Sequence, residues 1–177
     1  KFVILLISFI QSFFLFHFTP IIIRFQVYNS IFRDIYICCL TNVYGVIMKM
    51  PANVKDIFEK ERIHQLATAS KNGEPNCSYV GAKYLLDDET IIIVDNFMKK
   101  TLRNILENPR VAIVIIREKE AYQIKGRCEY LTEGPIYEEA RKWMKAKGDR
   151  YPAKGALLIK VTDIFYSTSD EKAGLLI

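Results

Sequence analysis

Lys99, Lys100 and Thr101 stand where a helix should least want positive charge. They follow Thr90 to Val94, a β-branched run that reads as a buried strand. From about Lys99 the spacing of Leu102, Ile105 and Leu106 sets one apolar face at helical period, and Asn108-Pro109 ends the helix because the residue before a proline avoids the α region. The first turn of such a helix carries unpaired N–H groups and the positive end of the macrodipole. Two lysines there cost some tenths of a kcal/mol unless an anion sits among them. Backbone amides, a Thr hydroxyl and two ammonium groups make a cradle that suits a phosphoryl group. The competing reading is a solvated helix end with no ligand, and spacing alone leaves both open.

Other residues with chemical potential read more plainly as structure. Asp95 and Asn96 suit an N-cap pair for that helix, with contact to a ligand hydroxyl as a second role for Asn96. Asp87, Asp88 and Glu89 form a carboxylate cluster but read as hairpin-turn chemistry. Cys38, Cys39, Cys77 and Cys128 contain no C-x-x-C pair, and His17 and His64 are the only imidazoles, so a structural zinc site is not expected. Cys77 and Cys128 fall in expected strands, where cysteine acts as a small buried hydrophobe. Trp143 and Tyr122 read as core or dimer-contact aromatics, and Arg117 and Lys119 as solvated. No general acid and base pair stands out.

The elements that must position these residues follow from period and turn signals. Asn53 reads as the N-cap of a helix over residues 54–62, with Val54, Ile57 and Phe58 on one face. Strands are expected over 65–70, 76–86, 90–95, 110–117, 122–132 and 156–168, with Asn72-Gly73 signalling a type I′ hairpin between the first two. Gly134-Pro135 opens a further helix whose apolar side is Ile136, Ala140, Trp143, Met144 and Ala146, and Gly148 ends it. Gly126 reads as a bulge that bends a strand or as a place where a ligand approaches the backbone. Six antiparallel strands with two or three helices are mainly β in class and suit a partly closed barrel, which removes exposed edges.

Within the 177 residues, residues 1–49 hold four of the 25 basic side chains and one of the 20 acids, which leaves 21 and 19 for residues 50–177. So balanced a core gives no electrostatic footprint for nucleic acid. Residues 1–47 form an apolar extension in which Phe2 to Phe18 is interrupted only by Ser8, Gln11, Ser12 and His17. Three readings of it stay open: a membrane anchor at the short limit for spanning a bilayer, an export signal, and a stretch upstream of the native start at Met48 or Met50.

LATASKNGEPN (Leu66 to Asn76), DNFMKKT (Asp95 to Thr101), NPRVAIVI (Asn108 to Ile115) and YQIKGRCEYLTEGPIYEEA (Tyr122 to Ala140) occur in that order. Together, over about Met50 to Thr168, they resemble the pyridoxamine 5'-phosphate oxidase-like FMN-binding split-barrel family, especially its small flavoproteins. The resemblance implies a six-stranded antiparallel split β-barrel over residues 50–177, a homodimer, and FMN as cofactor. It implies that Lys100 and Thr101, with Lys99 beside them, grip the FMN phosphate. It also implies that Asn76, Cys77, Ser78 and Tyr79 line the flavin ring, largely through backbone groups, and that Asn96 stands near the ribityl chain. The activity implied is that of a cytoplasmic flavin-dependent oxidoreductase or electron carrier, membrane-tethered if residues 1–47 act as an anchor. A deazaflavin-dependent reductase and a non-catalytic dimeric ligand-binding or regulatory module are the alternatives. The Arg-rich C-terminal motif of the true oxidases has no counterpart in Ser167 to Ile177, so oxidation of pyridoxamine phosphate is not implied.

Overall fold

The computed structural model describes residues 47–177, so the apolar extension lies outside the described residues apart from Ile47. The elements run α1 (Ala52–Lys60), β1 (His64–Ala69), β2 (Pro75–Val80), β3 (Lys83–Asp87), β4 (Thr90–Asp95), α2 (Lys100–Glu107), β5 (Arg110–Arg117), β6 (Glu120–Leu131), α3 (Pro135–Lys145) and β7 (Gly155–Tyr166). Among the described residues no helix is long and apolar enough to cross a membrane.

The strands form one antiparallel sheet in the order β2-β1-β5-β6-β7-β4-β3. Its two edge strands are consecutive in the chain, and Gly81-Ala82 is all that separates them. Three Cα–Cα steps reach no more than about 11 Å, so the opposite edges must approach and the sheet curls into a split barrel. There are seven strands where six were expected. The long run 76–86 is two strands, because at Gly81-Ala82 the chain leaves β1, where Val80 pairs with His64, and joins β4, where Lys83 pairs with Ile93. Apolar residues continue across that break, so period alone did not mark it.

The barrel interior holds Leu66, Ile91, Ile93, Ile113, Ile115, Ile124, Leu157, Ile159 and Ile164, and α1 closes it with Val54, Ile57 and Phe58. Burying each of these α1 side chains stabilises the fold by about 1.5–3 kcal/mol. A second cluster lies outside the sheet, where Ile92, Val94 and Ala156 meet Ala140 and Met144 of α3. β4 is therefore buried on both faces, which is why its sequence is a continuous apolar run rather than an alternation.

Three local expectations are corrected. Asn53 does not cap α1: the helix begins after Pro51, and the Asn53 amide donates to the Tyr122 hydroxyl at 2.8 Å. The β1–β2 connection is not a type I′ turn, because only Gly73 has positive φ (85°) while Gly73 N–H donates to Ser70 O and Ser70 N–H to Glu74 O. Arg117 is not simply solvated; it binds Asp56 at 2.6 Å and so ties β5 to α1. The Gly126 alternatives are decided by packing. Pairing slips between Lys125 and Gly126, and a Cβ there would stand 2.6 Å from Ile159 Cγ2 and 2.7 Å from Lys160 O. The backbone that approaches Gly126 is β7.

Candidate functional site

β4 ends at Asp95, which is fully buried and accepts hydrogen bonds from Met98 N–H at 2.8 Å and the Tyr130 hydroxyl at 3.0 Å, with Lys154 Nζ at 3.6 Å. Burial, and then the hydrogen bond to Asp95, pushes the Tyr130 phenol up to about 12, so it remains a donor to this carboxylate. Asp95 thereby fixes the turn before α2. It does not cap the helix itself, as was expected of it and Asn96: the residue at the cap position is Lys99, with no side-chain capping bond. Asn96 instead accepts from Ala153 N–H at 3.1 Å and donates to Met144 Sδ at 3.4 Å, tying the turn to α3 and the start of β7.

The helix that follows turns a partly polar face inward. Thr101, Asn104 and Ile105 are buried while Leu106 is 67% exposed, so the expected apolar face of Leu102, Ile105 and Leu106 does not form as such. The reason is what α2 packs against. β1 and β2 present Thr68, Asn76 and Ser78, and buried polar groups need partners. Asn76 Nδ2 donates to Thr101 Oγ1 and to Thr68 Oγ1, both at 3.1 Å, Asn104 Nδ2 donates to Thr68 Oγ1 at 3.2 Å, and Ser78 Oγ lies 3.2 Å from Thr101 Oγ1. Asn108 Nδ2 closes the far end of the helix on Ala69 O at 3.2 Å.

Above this network lies an open groove of about 850 Å³. Lys99, Lys100, Thr101, Asn76, Cys77, Ser78, Tyr79 and Asn96, the residues singled out in the sequence, all line it. Lys99 and Lys100 are exposed at the start of α2, and the first turn of that helix carries no acid. Sequence reasoning missed Arg62, Phe97, Lys147 and Tyr151. Lys147, held 4.0 Å from the centre of the Trp143 ring, reaches the groove from beyond the end of α3, a long-range placement that no local signal encodes. Four cations line the groove, Arg62, Lys99, Lys100 and Lys147, and no carboxylate does. Cys77 is exposed, not buried as expected, because the odd residues of β2 face outward. Cys128 is buried in the core, and burial pushes its thiol up to about 12. The described residues hold no group of three or more His, Cys, Asp or Glu placed to ligate a metal ion.

A family model, that of pyridoxamine 5'-phosphate oxidase, matches residues 50–168. The chain belongs to this family. An uncharacterized protein of Methanocaldococcus jannaschii is 41% identical over 134 residues, covering 74% of this chain and 89% of the relative. The heme oxygenase HutZ of Vibrio cholerae is 30% identical over 80 residues, covering 45% and 44%. Among solved structures, HupZ of Group A Streptococcus is similar with a TM-score of 0.62 and 29% identity, covering 71% of this chain and 99% of that one. An FMN-binding protein of Syntrophomonas wolfei has a TM-score of 0.58 at 19% identity, covering 65% and 83%, and shares the fold.

Proposed function

We propose that this chain binds FMN in the β2–α2 groove and acts, as a homodimer, as a small flavin-dependent oxidoreductase or electron carrier. The observation that carries the reading is the convergence of the helix start, the two lysines and the Thr101 network on one groove free of carboxylates. Three amides at the start of α2, from Lys100 to Leu102, lie ahead of Arg103 N–H, which is the first to find a carbonyl partner, at Lys99 O. With the ammonium groups they suit a phosphate dianion. A groove of about 850 Å³ is in the range of small-molecule sites. FMN when bound supplies the hydride or electron chemistry; the chain's residues bind it, orient it and shield it. The absence of a general acid and base pair is no obstacle to that division of labour.

The FMN-binding protein of Syntrophomonas wolfei supports a flavin in this fold, whereas the heme oxygenase HutZ raises heme as the competitor. Among the described residues the single imidazole belongs to His64, which is 1% exposed, stays outside the groove and has Nε2 2.9 Å from Phe58 O. That placement favours the flavin. Titrating the purified protein with FMN, riboflavin and hemin, followed by visible absorption, tests the reading. FMN is expected to bind at one per subunit and well ahead of riboflavin. Equal affinity for FMN and riboflavin, or a heme spectrum alone, overturns it, and a deazaflavin spectrum in the protein as isolated moves the cofactor to that alternative.

A further inference from the structure

Asn76 lines the groove, but its side-chain nitrogen is turned to the network beneath it. Its amide nitrogen has two hydrogens, and both are committed, one to Thr101 Oγ1 and one to Thr68 Oγ1, each at 3.1 Å. Thr68 Oγ1 in turn accepts from Asn104 Nδ2 at 3.2 Å. Thr68 is 5% exposed and Asn104 7%, and neither lines the groove. The direction of these bonds matters more than their number. An amide N–H only donates, so Asn76 fills one of the two lone pairs on Thr101 Oγ1. Ser78 Oγ, 3.2 Å away, can fill the other. A hydroxyl with both lone pairs taken has one capacity left, the donation of its own hydrogen. A phosphate dianion accepts and does not donate, so its arrival selects the arrangement in which Ser78 donates to Thr101 and Thr101 donates to the anion.

We propose that Thr68 and Asn104 are positioning residues that hold the Asn76 amide as a donor and so set Thr101 as a directed hydrogen-bond donor for the ligand phosphate. The proposal rests on the FMN reading and deepens it. Asn104 anchors Thr68, Thr68 anchors Asn76, and Asn76 sets the polarity of Thr101. Thr68 Oγ1 is the shared acceptor of both amides on the floor between α2 and β1, and Asn76 carries the network up to Thr101 at the groove, which explains why α2 turns Asn104 inward where a leucine would ordinarily sit.

The test compares FMN and riboflavin affinity in the full-length protein. Thr68→Val keeps the shape and removes the acceptor; it is expected to weaken FMN by about 10-fold, the scale of one well-directed hydrogen bond to a charged group, with riboflavin within twofold of wild type. Thr68→Ser restores the hydroxyl and the affinity. Asn104→Ala moves FMN in the same direction by about threefold, and thermal midpoints of all three proteins separate folding from binding. Parallel losses for FMN and riboflavin mean a merely structural role and overturn the proposal, as does an unchanged FMN preference in Thr68→Val. Absence of any FMN preference in the wild type overturns the phosphate reading first, and the positioning role with it.

Discussion

Lys100 adds a full charge where the α2 backbone already offers unpaired amides, so its effect should be confined to ligands that carry phosphate. Lys100→Ala is expected to weaken FMN by about 10- to 150-fold, equivalent to about 1.5–3 kcal/mol, and to leave riboflavin unaffected. Fluorescence titration of both ligands checks it, and an effect confined to Lys99→Ala would show that the neighbouring lysine holds the phosphate. A different residue governs the response to acid. Burial holds His64 neutral, lowering it from 6.5 to about 4 in spite of its hydrogen bond to Phe58 O. The folded state therefore takes up this proton less readily than the unfolded chain. The stability contribution is full above pH 6.5 and is lost as pH falls from there to about 4. At 1.36 kcal/mol per unit the loss is on the order of 3 kcal/mol. Denaturant melts at pH 7, 5.5 and 4 should show this loss, and His64→Gln, whose amide can still donate to Phe58 O, should lack it. Asp56, Asp87 and Asp170, all held below the usual carboxylate value of 3.8, act only at lower pH.

β7 meets β6 more closely at Gly155 than any side chain would allow: a Cβ there would lie 2.3 Å from the Tyr130 ring. Gly155→Ala should therefore displace Tyr130, whose hydroxyl holds the Asp95 turn, and lower stability by about 1–3 kcal/mol. Because that turn leads into α2, FMN affinity should fall as well; a variant with wild-type melting and binding would contradict the link from β6 to the groove. The same elements show what a sequence discloses. Thr90 to Val94, Arg110 to Arg117 and the start of α3 at Pro135 were legible because their signals are local: β-branching, a proline boundary, a proline at the first helical turn. The split between β2 and β3 was not, since it depends on which neighbour the chain pairs with after Gly81. The inward face of α2 was misread for a related reason. Thr101 and Asn104 look like surface residues until β1 and β2 supply Thr68, Asn76 and Ser78 as partners. In the groove, Lys99, Lys100 and Thr101 announced themselves through their position at a helix start. Asn76, Cys77, Ser78 and Tyr79 came through the family resemblance alone, and Arg62 and Lys147, distant in sequence from the rest, came through neither.

An open groove rimmed by large exposed rings is an unusual end state for a monomer. Tyr79 is 77% exposed and Phe97 71%, and both line the groove, while Leu106 on the outer side of α2 is 67% exposed. A flavin ring needs most of its apolar surface covered to bind firmly, and one wall of this site faces solvent. A second copy of the chain related by a two-fold axis, the commonest assembly of soluble proteins, would cover the wall and the rings together. The C-terminal segment folds back along the end of β7: Leu176 bridges Phe165, and Ile177 N–H donates to Ile164 O at 2.9 Å, leaving Leu175 and Leu176 more than half exposed. The expected outcome is a dimer at micromolar concentration in sedimentation velocity, tighter with FMN than without, since a ligand held by both subunits stabilises their association by mass action. Phe97→Glu places a charge at the rim without touching the Thr101 network. It should shift the protein toward monomer and weaken both ligands, riboflavin through lost cover of the ring and FMN somewhat more, because the new carboxylate also repels its phosphate. A holoprotein that sediments as a monomer, or a Phe97→Glu variant that loses the dimer yet keeps full FMN affinity, would show that one barrel binds its ligand unaided.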